Sequence, residues 1–252
     1  MIGLKKVGLN LYIWPMFILI TILSLLVLPV LLTINWLFLH KPRAKFLRKL
    51  IRIHGWVLVR AVPFMAPVTI LDKTGGYQTP VIFVSNHCSS VDPYLFGALS
   101  DENAFVTSWP FRIPVYNKLM GMAGYISSEN GWEVLRQQAK KLFASGSSLI
   151  FWPEGHRSNS GKLHKFKKGA FLLAHQTGTD IVPVCTLGSD LLLPPGKLFF
   201  TPSKITMILL PPVRGLQQSS DDPVALLRDE AWQKINHELQ KQRGFSSDCL
   251  TR

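Results

Sequence analysis

Two hydrophobic patterns divide the chain. Residues 9–39 ("LNLYIWPMFILITILSLLVLPVLLTINWLFL") contain no charged residue, so they read as helix buried in an apolar medium. Beyond residue 66, short β-rich runs alternate with stretches of helical period. "PVTIL" and "VIFVSN" predict strands at 67–71 and 81–86, and "PYLFGALS" a helix at 93–100. Residues 132–146 predict an amphipathic helix with Trp132, Leu135, Ala139 and Phe143 on one face and Gly146 as its stop. Strands follow in "SLIFWPEG", "IVPVCTLG" (with Pro183 interrupting it) and "KITMILLPPV", with a helix in "GAFLLAHQTG". A last helix begins with Asp222 as N-cap and Pro223 at its first position. This alternation predicts an α/β domain whose central mixed or mostly parallel sheet is flanked by helices. The expected division is a membrane-embedded helical segment with a basic amphipathic helix over residues 1–60, a globular domain over 61–244, and a loose tail over 245–252.

The apolar segment is about twice as long as a signal-peptide core, and no small-residue cleavage site follows it. Its 31 residues fall between the ~20 of one membrane span and the ~40 of two. Pro15 and Pro29 would kink or interrupt a continuous helix. Basic residues flank both sides, and "HKPRAKFLRKLIR" is the stronger cluster. Two arrangements follow: a helical hairpin dipping into one leaflet, or one tilted span. Both put the globular domain on the cytoplasmic face of the inner (plasma) membrane. In residues 45–60, Phe46, Leu50, Ile53 and Val57 share one side, while Arg48, Lys49 and Arg52 share another. This is the pattern of a helix on anionic headgroups or of a plain solvated basic face.

Composition sharpens that picture. The 252 residues carry 28 Lys and Arg against 15 Asp and Glu, a net charge of +13, yet no acidic residue precedes Asp72. A basic surface invites nucleic acid, but zinc-ligand spacing, an RNA-binding aromatic motif and basic-region heptads are all missing from the sequence. A basic cluster beside a greasy segment points to membrane lipids instead. Cys88, Cys185 and Cys249 are widely spaced and suit a reducing compartment.

Two stretches could carry chemistry. "VSNHCSSVDPY" places His87 at the end of a strand with Asp92 five residues on. Imidazole is a general base suited to neutral pH, and a carboxylate can orient it. The plainer reading makes Asp92 the N-cap of the helix opened by Pro93. "LIFWPEGHRSNSGKLHKFKKGAF" runs from a strand into Glu154, Gly155, Arg157 and a lysine run. Loops at the carboxyl edge of an α/β sheet are where ligands usually sit, and Arg and Lys suit phosphate.

Together these stretches resemble the glycerolipid acyltransferase family, which acylates lysophosphatidic acid and related lysophospholipids. The resemblance spans about residues 80–190. It rests on Asn86, His87 and Asp92 (N-H-x4-D), on Pro153, Glu154, Gly155, Arg157 and Ser158 leading to Phe166, Lys167, Lys168 and Gly169, and on Val182, Pro183 and Val184.

The resemblance implies acyl transfer from acyl-CoA or acyl carrier protein, as co-substrate, to a lysophospholipid hydroxyl. The leading acceptor is 1-acyl-glycerol-3-phosphate, giving phosphatidic acid; another lysolipid is the alternative. His87 would be the base and Asp92 its partner, with no metal or other cofactor required. Asn86, Glu154, Gly155, Arg157, Ser158, Lys167, Lys168 and Pro183 would bind substrate. His156 stands where the family usually has Thr or Ser. The family's second block (108–130) keeps Ile113, Pro114 and Gly124, but has Ser108 for its leading Lys and Asn130 for its closing Arg. That puts lysophosphatidic acid in question as acceptor and leaves Arg112 or Lys118 to take its phosphate. Two other readings compete: a thiol enzyme built on Cys88, and a silent lipid-binding protein. Trp109, Phe111 and Trp152 read as an acyl channel or as core.

Overall fold

The computed structural model describes residues 3–62, 65–114, 116–216 and 221–249. The apolar segment forms α1 (Leu4–Ile34), which runs unbroken through Pro15 and Pro29 and ends in a five-residue π-helical turn, Asn35–Leu39. His40 takes a left-handed conformation, and the Asn35 side chain closes the turn by donating to the Lys41 carbonyl (3.0 Å) and accepting from the Lys41 N–H (3.3 Å). The chain then reverses into α2 (Arg43–Arg60).

Helix α2 corrects the predicted split of its faces. Its buried side consists of Phe46, Leu47, Arg48, Gly55, Leu58 and Val59, while Ile53 and Val57 are exposed. Arg48 turns inward, bonding Glu102 Oε1 (2.9 Å), the Ala123 carbonyl (2.7 Å) and Ser147 Oγ (3.0 Å). A buried guanidinium is tolerated where each donor direction is met. Leu47 and Val59 join the same core as the sheet.

The first half of α1 is fastened to the globular part. Asn10 and Phe200 exchange two hydrogen bonds (3.0 and 2.7 Å), the Trp14 indole N–H donates to the Leu198 carbonyl (2.9 Å), and Ile13 is fully buried. Further along, Ser24 Oγ meets His54 Nδ1 at 3.0 Å. The outer face is left bare: Leu11, Ile18, Ile22, Leu26 and Phe38 are all at least half exposed. The stretch from Lys5 to Leu39 reaches a mean hydropathy of 2.9.

Among the described residues, seven strands form one sheet in the order β1-β7-β6-β2-β5-β3-β4. They are β1 (Val68–Asp72), β2 (Ile82–Ser85), β3 (Asn103–Thr107), β4 (Ile126–Ser127), β5 (Ser148–Phe151), β6 (Ile181–Leu187) and β7 (Ile205–Leu209). β6 and β7 pair antiparallel; the other neighbouring pairs are parallel. β2 and β5 are buried at every position, which explains their uninterrupted apolar runs. Pro183 does not interrupt β6: it pairs with Val84, and its carbonyl accepts from the Leu210 N–H (2.9 Å).

The expected helix at 93–100 is a single turn, α3 (Asp92–Leu95), followed by a 3₁₀ turn. Short helices α4 (Tyr116–Met122) and α7 (Ser189–Leu192) fill connections. α5 (Trp132–Ala144) and α6 (Gly169–Thr177) lie where helical period placed them. In α8 (Pro223–Cys249), Asp222 caps by accepting from the Ala225 N–H (2.9 Å), and Leu227, Ala231, Ile235 and Leu239 enter the core at four-residue spacing. This helix continues through residues 245–249, where a loose tail was expected.

Candidate active site

Parallel neighbours β2 and β5 release their following loops at the same sheet edge, and those loops carry the two motifs. Asn86 pins the first one. Its side-chain amide donates to the Thr186 carbonyl (2.8 Å) and accepts from the Thr186 N–H (2.7 Å), bridging β2 to β6. At 2% exposure with both groups engaged, Asn86 holds sheet to loop and is not available to a ligand.

The chain then curls so that one oxygen of Asp92 serves the whole turn. Asp92 Oδ2 accepts from the Cys88 N–H, the Ser89 N–H and His87 Nδ1, each at 2.8 Å. The carboxylate therefore faces back toward His87 and is not an N-cap reaching forward into α3, whose N-cap is Val91. Asp92 is 1% exposed, whereas the His87 side chain keeps 18%. With Nδ1 donating to Asp92, Nε2 carries the lone pair, the tautomer a general base requires. Trp152, just past β5, packs against the imidazole with ring centroids 5.1 Å apart and rests in turn on Phe96 and Phe105. It is packing beneath the His87 ring. Phe111 is also packed on the core, and Trp109 is exposed.

Glu154 joins the two loops. Its Oε1 accepts from the His87 N–H (2.8 Å) and its Oε2 from the His164 N–H (2.9 Å). Burial pushes its carboxyl up, while the two amides and nearby His164 and His87 pull it back. Because both oxygens are spent on backbone and the residue is 2% exposed, Glu154 braces the site and does not contact a headgroup. Ser158 is likewise internal: its N–H donates to the His87 carbonyl (2.7 Å) and its hydroxyl to the Lys162 carbonyl (2.8 Å). Pro183, in β6, is a sheet residue.

Gly155 sits at φ +77°, and a side chain there would collide with the Lys167 ammonium at 2.5 Å, so glycine brings that lysine against the turn. Arg157, Lys167 and Lys168 are exposed around it. Arg112, on the 3₁₀ turn after β3, is exposed and ion-paired with Glu129, and Lys118 is exposed on α4. Sequence reasoning missed the His156–His164 pair, with Nε2 and Nδ1 3.1 Å apart. It also missed the bracing role of Glu154, signalled only by an acidic residue directly after an apolar strand.

Burial, then the Asp92 carboxylate, pushes the Cys88 thiol up to about 12. It stays protonated at neutral pH and lacks the thiolate a nucleophilic cysteine needs. Among the described residues, no three His, Cys, Asp or Glu side chains are grouped to hold a metal ion.

A solved structure, that of the 1-acyl-sn-glycerophosphate acyltransferase of Thermotoga maritima, shares this fold with a TM-score of 0.74 and 22% identity over 94% of this chain and 98% of that one. A chloroplastic 1-acyl-sn-glycerol-3-phosphate acyltransferase of Brassica napus is 31% identical over 188 residues, 71% of this chain and 53% of the relative. An enzyme of the same name in Borreliella burgdorferi is 25% identical over 64% of this chain and 70% of its own. The chain spans about half the length of the plant relatives it matches. The family model described as Acyltransferase matches residues 51–187, more than half of the 252 residues and both loops of the site, so this protein belongs to the acyltransferase family.

Proposed function

We propose that the protein transfers a fatty acyl group from acyl-CoA or acyl carrier protein to the free hydroxyl of 1-acyl-glycerol-3-phosphate, giving phosphatidic acid. The observation that carries this reading is the His87–Asp92 pair at 2.8 Å, set beside an exposed loop of Arg157, Lys167 and Lys168. The acceptor hydroxyl loses its proton to His87 Nε2 as its oxygen attacks the thioester carbonyl. The tetrahedral intermediate collapses, the C–S bond breaks, and the proton passes from His87 to the leaving sulfur. Asp92 stabilises the imidazolium between those steps. A positioned base of this kind contributes about 10²–10⁴-fold. Oxyanion donors come from elsewhere than the His87, Cys88 and Ser89 amides, which Glu154 and Asp92 already occupy. The amides of His156 and Arg157, without a protein partner among the described residues, suit that role. The acceptor phosphate is taken by Arg157 and Lys167, with Lys168, Arg112 and Lys118 adding positive charge.

The bare face of α1 lies in one leaflet, with the domain on the cytoplasmic side of the membrane. The support for a one-leaflet arrangement over a tilted span is that α1 meets the same domain near both of its ends, through Asn10 with Phe200 and, just past the turn, Arg48 with Glu102. The test gives the purified protein palmitoyl-CoA or palmitoyl carrier protein and a panel of lysolipids. Thiol release that depends on lysophosphatidic acid, with phosphatidic acid found by mass, is expected. Product from zwitterionic lysophospholipid alone would reassign the acceptor, and no thiol release with any pair would refute the activity.

A further inference from the structure

The stretch from α7 to Phe200 is more apolar on its outside than a water-facing connection should be. Leu191 is 63% exposed, Leu198 71% and Phe199 36%, with exposed Lys197 preceding the last two. Partners on α1 fix this stretch from within. The Trp14 indole holds the Leu198 carbonyl, Asn10 holds Phe200 through two hydrogen bonds, and Phe200 packs against Trp14 and Phe17 at 5.5 and 5.3 Å. The fixed loop lies against α1 at Trp14, one turn from exposed Leu11 and Ile18. Its inner side reaches the catalytic turn, where the Ser89 hydroxyl donates to the Leu193 carbonyl at 2.8 Å.

We propose that Leu191, Lys197, Leu198 and Phe199 form a second membrane contact, which enters the same leaflet as α1 and sets the depth of the His87 turn. The inference rests on the reading that α1 lies in the bilayer. Three features commit the occupant to lipid. The patch is continuous with the bare face of α1, and large apolar side chains beside a lysine suit the boundary between acyl chains and anionic headgroups. The loop's rigid attachment also lets it insert without first paying an ordering cost. One contact along α1 leaves the domain free to roll about that helix axis. A second contact removes that freedom and holds the acceptor hydroxyl at the height of the imidazole.

The full chain carrying Cys249→Ser is labelled with an environment-sensitive fluorophore at Leu198→Cys or, separately, at Leu25→Cys on the outer face of α1. Cys88 and Cys185 are buried and stay unlabelled in the folded chain. The probe is a vesicle of phosphatidylethanolamine and phosphatidylglycerol with brominated acyl chains. Quenching of both labels is expected. Quenching at 25 but not at 198 overturns the loop contact and leaves the α1 reading intact. Loss of quenching at both sites overturns the α1 reading, and the loop proposal with it. A response at 198 that follows protein concentration instead of lipid would make the patch a self-contact and also overturn the proposal. In parallel, Leu198→Ser with Phe199→Ser should weaken vesicle binding about tenfold or more. Turnover of a short-chain acceptor dissolved as monomer should stay unchanged; unchanged vesicle binding contradicts the proposal.

Discussion

Glu154→Ala should both destabilise the protein and abolish most of its turnover. The carboxylate is the shared acceptor for two backbone amides from different loops, His87 at 2.8 Å and His164 at 2.9 Å. Removing it leaves two partly buried donors unmet, at about 1–3 kcal/mol each, and frees the loop that aims the imidazole. A loss of about 2–6 kcal/mol in the free energy of chemical unfolding, with a fall in kcat, is the expected pair of results. Glu154→Gln separates bracing from charge. Its carbonyl oxygen can serve one amide, but its NH₂ then faces the other N–H, so this variant should recover only part of the stability. A Glu154→Ala protein with unchanged unfolding and unchanged kcat would show that the two loops are held by something else.

Asp92→Asn probes the other half of the site. Three donors converge on Asp92 Oδ2, and the two amides among them demand an oxygen there. The asparagine amide should therefore turn its oxygen to the turn and preserve the tautomer of His87. What it cannot supply is negative charge for the imidazolium that the proposed transfer would form. A drop of about 10²-fold or more in kcat is expected, with little change in KM because Asp92, 1% exposed, does not meet substrate. The NH₂ would replace Asp92 Oδ1, a buried atom without a hydrogen-bond partner among the described residues, adding a stability cost of about 1–3 kcal/mol. Near-normal kcat would mean that the carboxylate only shapes the turn.

Much of this arrangement was legible in the residues because periodicity and burial coincide. β2 and β5 are buried at every position and read as short apolar runs, and α8 announces itself through Asp222, Pro223 and a four-residue apolar spacing. β3 and β4 escaped notice. The first is a five-residue run following a turn, the second has only two residues, and neither length supports a period. The faces of α2 were misassigned because Arg48 looks like surface until Glu102 and Ser147, more than 50 residues away, supply its partners. At the site, the histidine–aspartate spacing pointed to the pair, but spacing could not show that Asp92 also collects two amides. Residue type misled at Asn86, Glu154 and Ser158. Polar side chains in a motif suggest ligand contact, yet here each spends its hydrogen-bonding groups on backbone, which only long-range contacts reveal.

The central claim is that the imidazole of residue 87 takes the proton from the acceptor hydroxyl. Its direct test is the turnover of purified His87→Ala with palmitoyl-CoA and lysophosphatidic acid, measured beside its co-sedimentation with vesicles. The account predicts that thiol release falls by about 10²–10⁴-fold while vesicle binding stays at the parent level. Near-parental thiol release from a variant lacking the imidazole would contradict it.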